Sequence, residues 1–183
     1  MRDMLYSEIS NYYGIPNIPD DPDLAVKAGT KLCTELLEPL QKQFGRISIR
    51  SAYRSSTVNK FGNENKLNCA TNEANYAKHI WDKRDKNGHM GTLATIVVNN
   101  MIPYYEKTKD WQALAWWIHD HLPYSNMFFY PKLCAFNIGW HEQVERRIDS
   151  YIEPKGCLTK QGMPNHGGSH SQDYEALISS LTN

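Results

Sequence analysis

The chain has 183 residues, 20 basic and 20 acidic side chains, 40% hydrophobic residues and 11% aromatic ones. That length suits one domain, and the apolar share can fill a core, which excludes a disordered chain. Charges that cancel leave no electrostatic footprint for nucleic acid or for an anionic membrane as a partner.

The opening MRDMLYSEISNYYG carries acids and tyrosines where a signal peptide needs an unbroken apolar run. No export signal is expected, which places the protein in the cytoplasm or on a virion. Apolar runs such as ALAWWI fall far short of the ~20 residues needed to cross a bilayer. Cys33, Cys69, Cys134 and Cys157 lie far apart without a CxxC pair, so free thiols are expected in preference to a disulfide framework.

The first clear element follows the turn IPNIPDDPD. Asp21 or Asp23 caps a helix whose Leu24, Ala28, Leu32, Leu36 and Leu40 recur every four residues. Pro39 should kink it and Gly45 should stop it. RISIRSAY alternates Ile47 and Ile49 with Ser48 and Arg50, the pattern of a half-buried strand. The Asn-rich stretch from 62 to 75 reads as a loop passing into a short helix, NEANYAKHIWDKRD, closed by the turn DKNG. TLATIVV is a central strand. DWQALAWWIHDHL is a helix with Trp111, Leu114, Ala115 and Ile118 on one stripe and Asp110 near its start. NMFFY and CAFNIGW are two further strands, joined through Pro131 and Lys132. Beyond residue 152 apolar period disappears, which predicts an extended arm and a short closing helix, SQDYEALISSL, capped by Ser171. The expected fold class is α+β, a small, mostly antiparallel sheet flanked by helices over 1–152, with a C-terminal arm over 153–183.

In LCTELLEPLQKQFGRISIRSAYRSSTVN a helix, a Gly stop, a short strand and an S-x-Y-R-S turn followed by Asn succeed one another. This order resembles the first half of the zinc D-alanyl-D-alanine carboxypeptidases, which have the hedgehog/DD-peptidase fold. In that family the Arg of the turn helps hold a peptide carboxylate, and Arg54 matches it. The chemistry suits a guanidinium, a planar fork that stays charged. Alternatively Arg54 only pins the Asn-rich loop through backbone carbonyls. FNIGWHE resembles the family's last strand, where a Trp precedes a zinc-binding His; His141 matches, with Trp140 and Glu142 beside it. Between these passages the family's S-x-H-x-x-G-x-A-x-D is broken. Aligned on it, Gly91 takes the Gly, Thr95 replaces the Asp, and Gly88 falls where the His belongs.

A substitute ligand set is conceivable. His79 and Asp82 stand at i, i+3, on one face if HIWDKRD is helical. With His141 they would make a His/Asp/His zinc site with a fourth position for water; otherwise they merely brace that helix. His119 and His121, two apart, diverge by about 200° on a helix and cannot chelate one ion together. His166 and His170 flank a Gly-Gly that argues against a helix, so the arm is expected to fold over the cleft or onto a neighbour.

Two functional readings follow from the resemblance, which covers residues 30–142. The first is a zinc metallopeptidase acting on cell-wall peptides, with Arg54 on the substrate carboxylate, zinc on His79, Asp82 and His141, and Glu142 as general base. The second is a binding or structural protein that kept the fold without zinc. Its cleft, lined by Tyr53, Arg54, Asn59 and Trp140, would take a cell-wall peptide or glycan, and a phage-encoded virion or tail component touching other virion proteins would fit. A metal-free hydrolase built from His and Asp lacks a recognisable nucleophile.

Overall fold

Asp21 opens helix α2 (Pro22–Leu32) by accepting from the Leu24 amide at 3.0 Å, with Pro22 set for the first turn. The helix continues through a π-helical turn (Cys33–Leu37) into α3 (Glu38–Phe44). Pro39 has no N–H for the carbonyl four residues back, and the wider turn ahead of it carries the helix past that missing bond. Gly45, at φ 77°, ends the helix and donates to the Gln41 carbonyl at 2.8 Å. Leu32, Leu36, Leu40 and Phe44 are all buried, so the four-residue stripe is the core face, as expected. These coordinates come from a computed structural model, which describes residues 2–181.

Six strands form one sheet: β1 (Ile47–Ser51), β2 (Gly91–Val98), β3 (Asn126–Phe129), β4 (Phe136–His141), β5 (Arg147–Ser150) and β6 (Gly156–Thr159), in the order β1-β2-β4-β3-β5-β6. The fold is α+β, but the sheet is mixed where a mostly antiparallel one was expected. β4 and β5 make a wide return that straddles β3, so β5 pairs with β3 in parallel, while the other neighbours pair antiparallel. β6 extends this sheet and lies within the segment expected to be an arm. Its four residues carry too little pattern to be read alone, and the partner strand β5 supplies what the sequence does not.

β2 is buried along its length except at Thr95, the profile of a central strand. Ala94, Ile96 and Val98 alternate into the core with Phe136 and Ile138. There they meet α2, α3, α6 (Met101–Thr108) and α7 (Gln112–His121). In α7 the stripe Trp111, Leu114, Ala115 and Ile118 is buried as expected, and Trp116 and Trp117 are buried too. The extra cover comes from α8 (Ser171–Leu181), whose Leu177 is fully buried. The segment before α8 closes on α7: His170 Nδ1 meets Asp120 Oδ1 at 2.7 Å, and its ring stacks on Trp116 at 4.0 Å. It does not roof the sheet's other face. No helix among the described residues is long and apolar enough to cross a membrane, and all four cysteines are free.

The segment NEANYAKHIWDKRD departs most from expectation. Only α5 (Asn72–Asn75) is helical; Ala77 then turns at φ 54° and residues 76–80 wedge between the end of β1 and the start of β2. Arg54 N donates to His79 O at 2.8 Å, and Leu93 N donates to Lys78 O at 2.9 Å. Trp81 anchors the wedge on α2, where a Cβ on Gly29 would fall 2.9 Å from its ring. Gly91 permits the close approach on the other side: a Cβ there would lie 2.3 Å from His141 Cδ2 and 2.4 Å from the Ala77 carbonyl oxygen. Backbone cannot yield as a side-chain tip can. Gly91→Ala is expected to lower stability by about 1–3 kcal/mol through overpacking. Gly167→Ala, with nothing within 4 Å of its Cβ, should change it by less than about 0.5 kcal/mol. Urea unfolding of both variants checks this, and equal midpoints would contradict the wedge packing.

Candidate functional site

Arg54 sits between a strand end and a helix start. Ser55 caps α4 (Ser56–Glu64) by accepting from Val58 N at 3.2 Å. Asn17 braces the turn from outside, donating to Tyr53 O at 3.1 Å and accepting from Ser55 N at 2.7 Å. With its own amide on His79 O, the Arg54 backbone is fixed from both sides. The side chain lines a cavity of about 390 Å³ on the sheet face opposite α2, α3, α6 and α7, together with Cys69, His79, Thr95, Tyr130 and Asn137. Arg54 Nη1 donates to Cys69 Sγ at 2.6 Å. A second hollow of about 760 Å³ adjoins it and shares Arg50, Thr95, Tyr130 and residues 68–70.

The wall carrying Cys69 is held by asparagines. Asn59, fully buried, donates to Ala70 O at 3.0 Å and to Asn72 Oδ1 at 2.9 Å, and accepts from Asn75 at 3.1 Å. Asn63 donates to Cys69 O at 2.8 Å. Asn59 therefore shapes the cleft and does not line it, because its polar atoms are already committed.

Across the cleft floor, Thr95 and Asn137 face each other in the β2–β4 register. Thr95 Oγ1 donates to Asn137 Oδ1 at 2.6 Å, and Asn137 Nδ2 donates to the Tyr130 hydroxyl at 3.0 Å. With its oxygen so occupied as acceptor, the Tyr130 O–H proton is left to donate. Burial raises the Tyr130 phenol, so it stays protonated at neutral pH. The acids lining the two hollows are confined to Glu8, against Arg50, Arg54 and Lys132. The cleft is electropositive and rich in donors, an arrangement that suits an anion.

His79 is buried, and its Nδ1 lies 2.8 Å from the Ala52 carbonyl oxygen. A carbonyl only accepts, so Nδ1 carries the proton and Nε2 is a bare acceptor. Burial first, then the neighbouring Arg54 charge, pushes the imidazole down to about 3. His79 is a neutral group in this cleft.

The remaining expected site residues lie elsewhere. Tyr53 is fully buried in the core, its ring edge-on to Trp81 at 5.9 Å, with burial and then Asp82 raising its phenol. Asp82 Oδ2 accepts from Asp20 N at 2.7 Å and so holds the turn before α2. Trp140 Nε1 donates to Glu35 at 2.6 Å. Glu142 is exposed and accepts from Met90 N at 2.6 Å and Arg84 at 3.3 Å; these contacts, Met90 foremost, lower its carboxyl. His141 Nε2 faces Asp85 at 3.4 Å in a separate hollow of about 470 Å³ that Trp140 and Thr92 also line.

The strands leading to Arg54 and His141 are not neighbours, since β2 lies between β1 and β4, and their tips do not share a hollow. Segment 73–79 is the partition: Asn75 and His79 line the Arg54 side, while Tyr76 and Lys78 line the His141 side. The expected zinc set His79, Asp82 and His141 is not brought together. Its i, i+3 geometry required a helix, and that segment is a series of turns. Among the described residues no group of three or more His, Cys, Asp or Glu side chains is placed to hold a metal ion. As placed here, these three residues do not fit zinc. Cys69, Tyr130 and Asn137 went unanticipated, since cross-strand register carries no sequence motif.

The buried His79 has a consequence for pH. Its folded value near 3 lies below the ordinary 6.5, so below pH 6.5 the unfolded chain takes up a proton that the folded chain refuses. Stability supplied by the neutral ring is present above 6.5 and is lost as pH falls toward 3, at up to about 1.4 kcal/mol per pH unit. His79→Asn removes that titration. The stability gap between wild type and variant should therefore shrink by about 2 kcal/mol from pH 7 to pH 5 in urea unfolding. A gap that stays constant would mean that the ring takes up its proton as readily folded as unfolded.

In comparisons with protein-family models, curated proteins and solved structures, the chain matches none.

Proposed function

We propose that the protein is a binding protein whose Arg54 cleft takes the carboxylate end of a peptide, and that it does so without a zinc-dependent step. One observation carries this reading. Among the described residues Arg54 has no carboxylate partner, yet its guanidinium lines a cavity with a spare phenol proton from Tyr130 beside it. A buried-side cation without a counter-ion is costly unless a ligand supplies one, and a planar fork matches a carboxylate in two hydrogen bonds.

The resemblance of SAYRS and GWHE to the DD-carboxypeptidases names the peptide class, the cell-wall stem peptides that end in D-alanine. The helix, Gly stop, strand and S-x-Y-R-S turn in that order support a hedgehog/DD-peptidase-like scaffold; the parallel β3–β5 pair and the separated His141 depart from it. Glu142, bound to Arg84 and Met90 outside the cleft, has no part in this reading. Recognition without turnover fits a hydrolase scaffold put to another use, such as a virion protein that meets the wall.

Acetyl-D-alanyl-D-alanine is the direct probe. Titration calorimetry should show binding that falls by about 10–100-fold in Arg54→Ala, the loss of a charge-assisted pair, with Arg54→Lys between. The C-terminal amide of the same peptide should bind as weakly as the free acid binds Arg54→Ala. Acid and amide bound equally well would overturn the proposal. Release of D-alanine from the peptide, with zinc added, would restore the enzyme reading; none is expected.

A further inference from the structure

We infer that His79 is the acceptor that selects the ligand, so that the cleft takes a carboxylate with a hydrogen-bond donor next to it, as in the amide N–H of a peptide's last residue. This rests on the carboxylate reading of Arg54 and adds to it what must stand beside the carboxylate.

The argument begins from fixed protons. His79 is 6% exposed, and its Nδ1–H is committed to Ala52 O at 2.8 Å. The other tautomer would set a bare Nδ1 against that carbonyl, lone pair to lone pair, so the ring cannot swap to please a ligand. Nε2 has no partner among the described residues, and the ring forms part of the wall of the Arg54 cavity. Burial and the Arg54 charge both oppose a second proton on the ring.

The backbone fixes the two groups relative to each other. Arg54 N donates to His79 O at 2.8 Å, so the residue supplying the cation and the residue supplying the acceptor are joined by a direct hydrogen bond. The cavity therefore offers donors from Arg54 and Tyr130 and one obligate acceptor from His79. A ligand with only acceptors next to its charge, such as inorganic sulfate or an ester-linked analogue, satisfies the first and opposes lone pairs to the last. A peptide terminus satisfies both, because its last amide N–H is two bonds from the carbon that bears the carboxylate. Specificity of this kind is strong when the site's polar group is buried, since the wrong ligand leaves it unpaired.

The test compares acetyl-D-alanyl-D-alanine with its ester analogue, in which oxygen replaces the last amide N–H. Wild type should bind the ester about 10–100-fold more weakly by titration calorimetry, and inorganic sulfate more weakly still. His79→Asn keeps a donor for Ala52 O but has no counterpart of Nε2, and should narrow the amide-to-ester ratio to about threefold or less. Because that variant can fail to fold, wild type with ¹⁵N-labelled imidazoles provides an independent readout. In the free protein the His79 Nε2 signal should be that of an unprotonated nitrogen, and it should move on adding the amide ligand but not the ester. Equal binding of amide and ester, both lost in Arg54→Ala, would sink the role of His79 and leave the carboxylate reading standing. A protonated Nε2 in the free protein, or sulfate bound as tightly as the peptide, would sink it as well. If neither the amide nor the ester binds, the reading of Arg54 fails first and takes this inference with it.

Discussion

Two backbone hydrogen bonds, Arg54 N to His79 O and Leu93 N to Lys78 O, decide what this molecule presents to solvent. They hold an irregular segment between strands that would otherwise close on each other. An inserted loop is tolerable in a buried place only when its amides and carbonyls find partners. Here the partners come from the turn after β1 and from the first half of β2, so the wedge and the sheet complete each other. Gly91 is the steric condition for this, and Trp81, with its indole on Leu93 O at 3.2 Å, is the apolar anchor. Remove the wedge and the two hollows on either side of it merge. Keep it, and Arg54 and His141 can never face the same ligand.

The same segment explains the electrostatics of the cleft. A cation and an imidazole brought together out of water cannot both be charged without a counter-ion, and Arg54 is the group that keeps its charge. His79 is left neutral with its tautomer fixed by Ala52. A related tension lies just behind, where Tyr53 Oη and Asp82 Oδ1 are both buried without hydrogen-bond partners. The Asp82 charge is near enough to help raise the Tyr53 phenol, although the two atoms do not meet in hydrogen-bond geometry. The buried side of the wedge thus carries a carboxylate, Asp82, whose Oδ2 alone the Asp20 amide satisfies, and the open side carries the Arg54 cation.

How far the sequence reads true follows from which forces act locally. The helix from Asp21 to Gly45 was legible because its cap, its leucine stripe and its stop lie within the segment itself. β2 and α7 were legible because a strand or helix buried on several sides needs an apolar run that nothing else explains. HIWDKRD misled because polar residues at i, i+3 look like a helix face, whereas hydrogen bonds to Arg54 and Leu93, distant in sequence, set its backbone. β5 and β6 were invisible for a like reason: four residues each, they are strands only by virtue of their neighbours. Arg54 could be found from its turn. Its companions could not, since Thr95, Asn137 and Tyr130 are joined by strand register and by the chain's course after β3.

Burial holds the imidazole and the phenol of the cleft each in one protonation state. General base catalysis works best when the base has a pKa near the working pH, and the His79 ring, pushed down to about 3, is too weak to take a proton from water at neutrality. The Cys69 sulfur accepts a hydrogen bond from Arg54 Nη1 and is held against the guanidinium as part of the wall. Tyr130, raised by burial, keeps its proton, and with its oxygen accepting from Asn137 it has that proton left to donate. His79 and Tyr130 thus keep fixed roles, one as acceptor and one as donor, that neutral pH does not change. A site built of such groups discriminates ligands by the pattern of their hydrogen bonds.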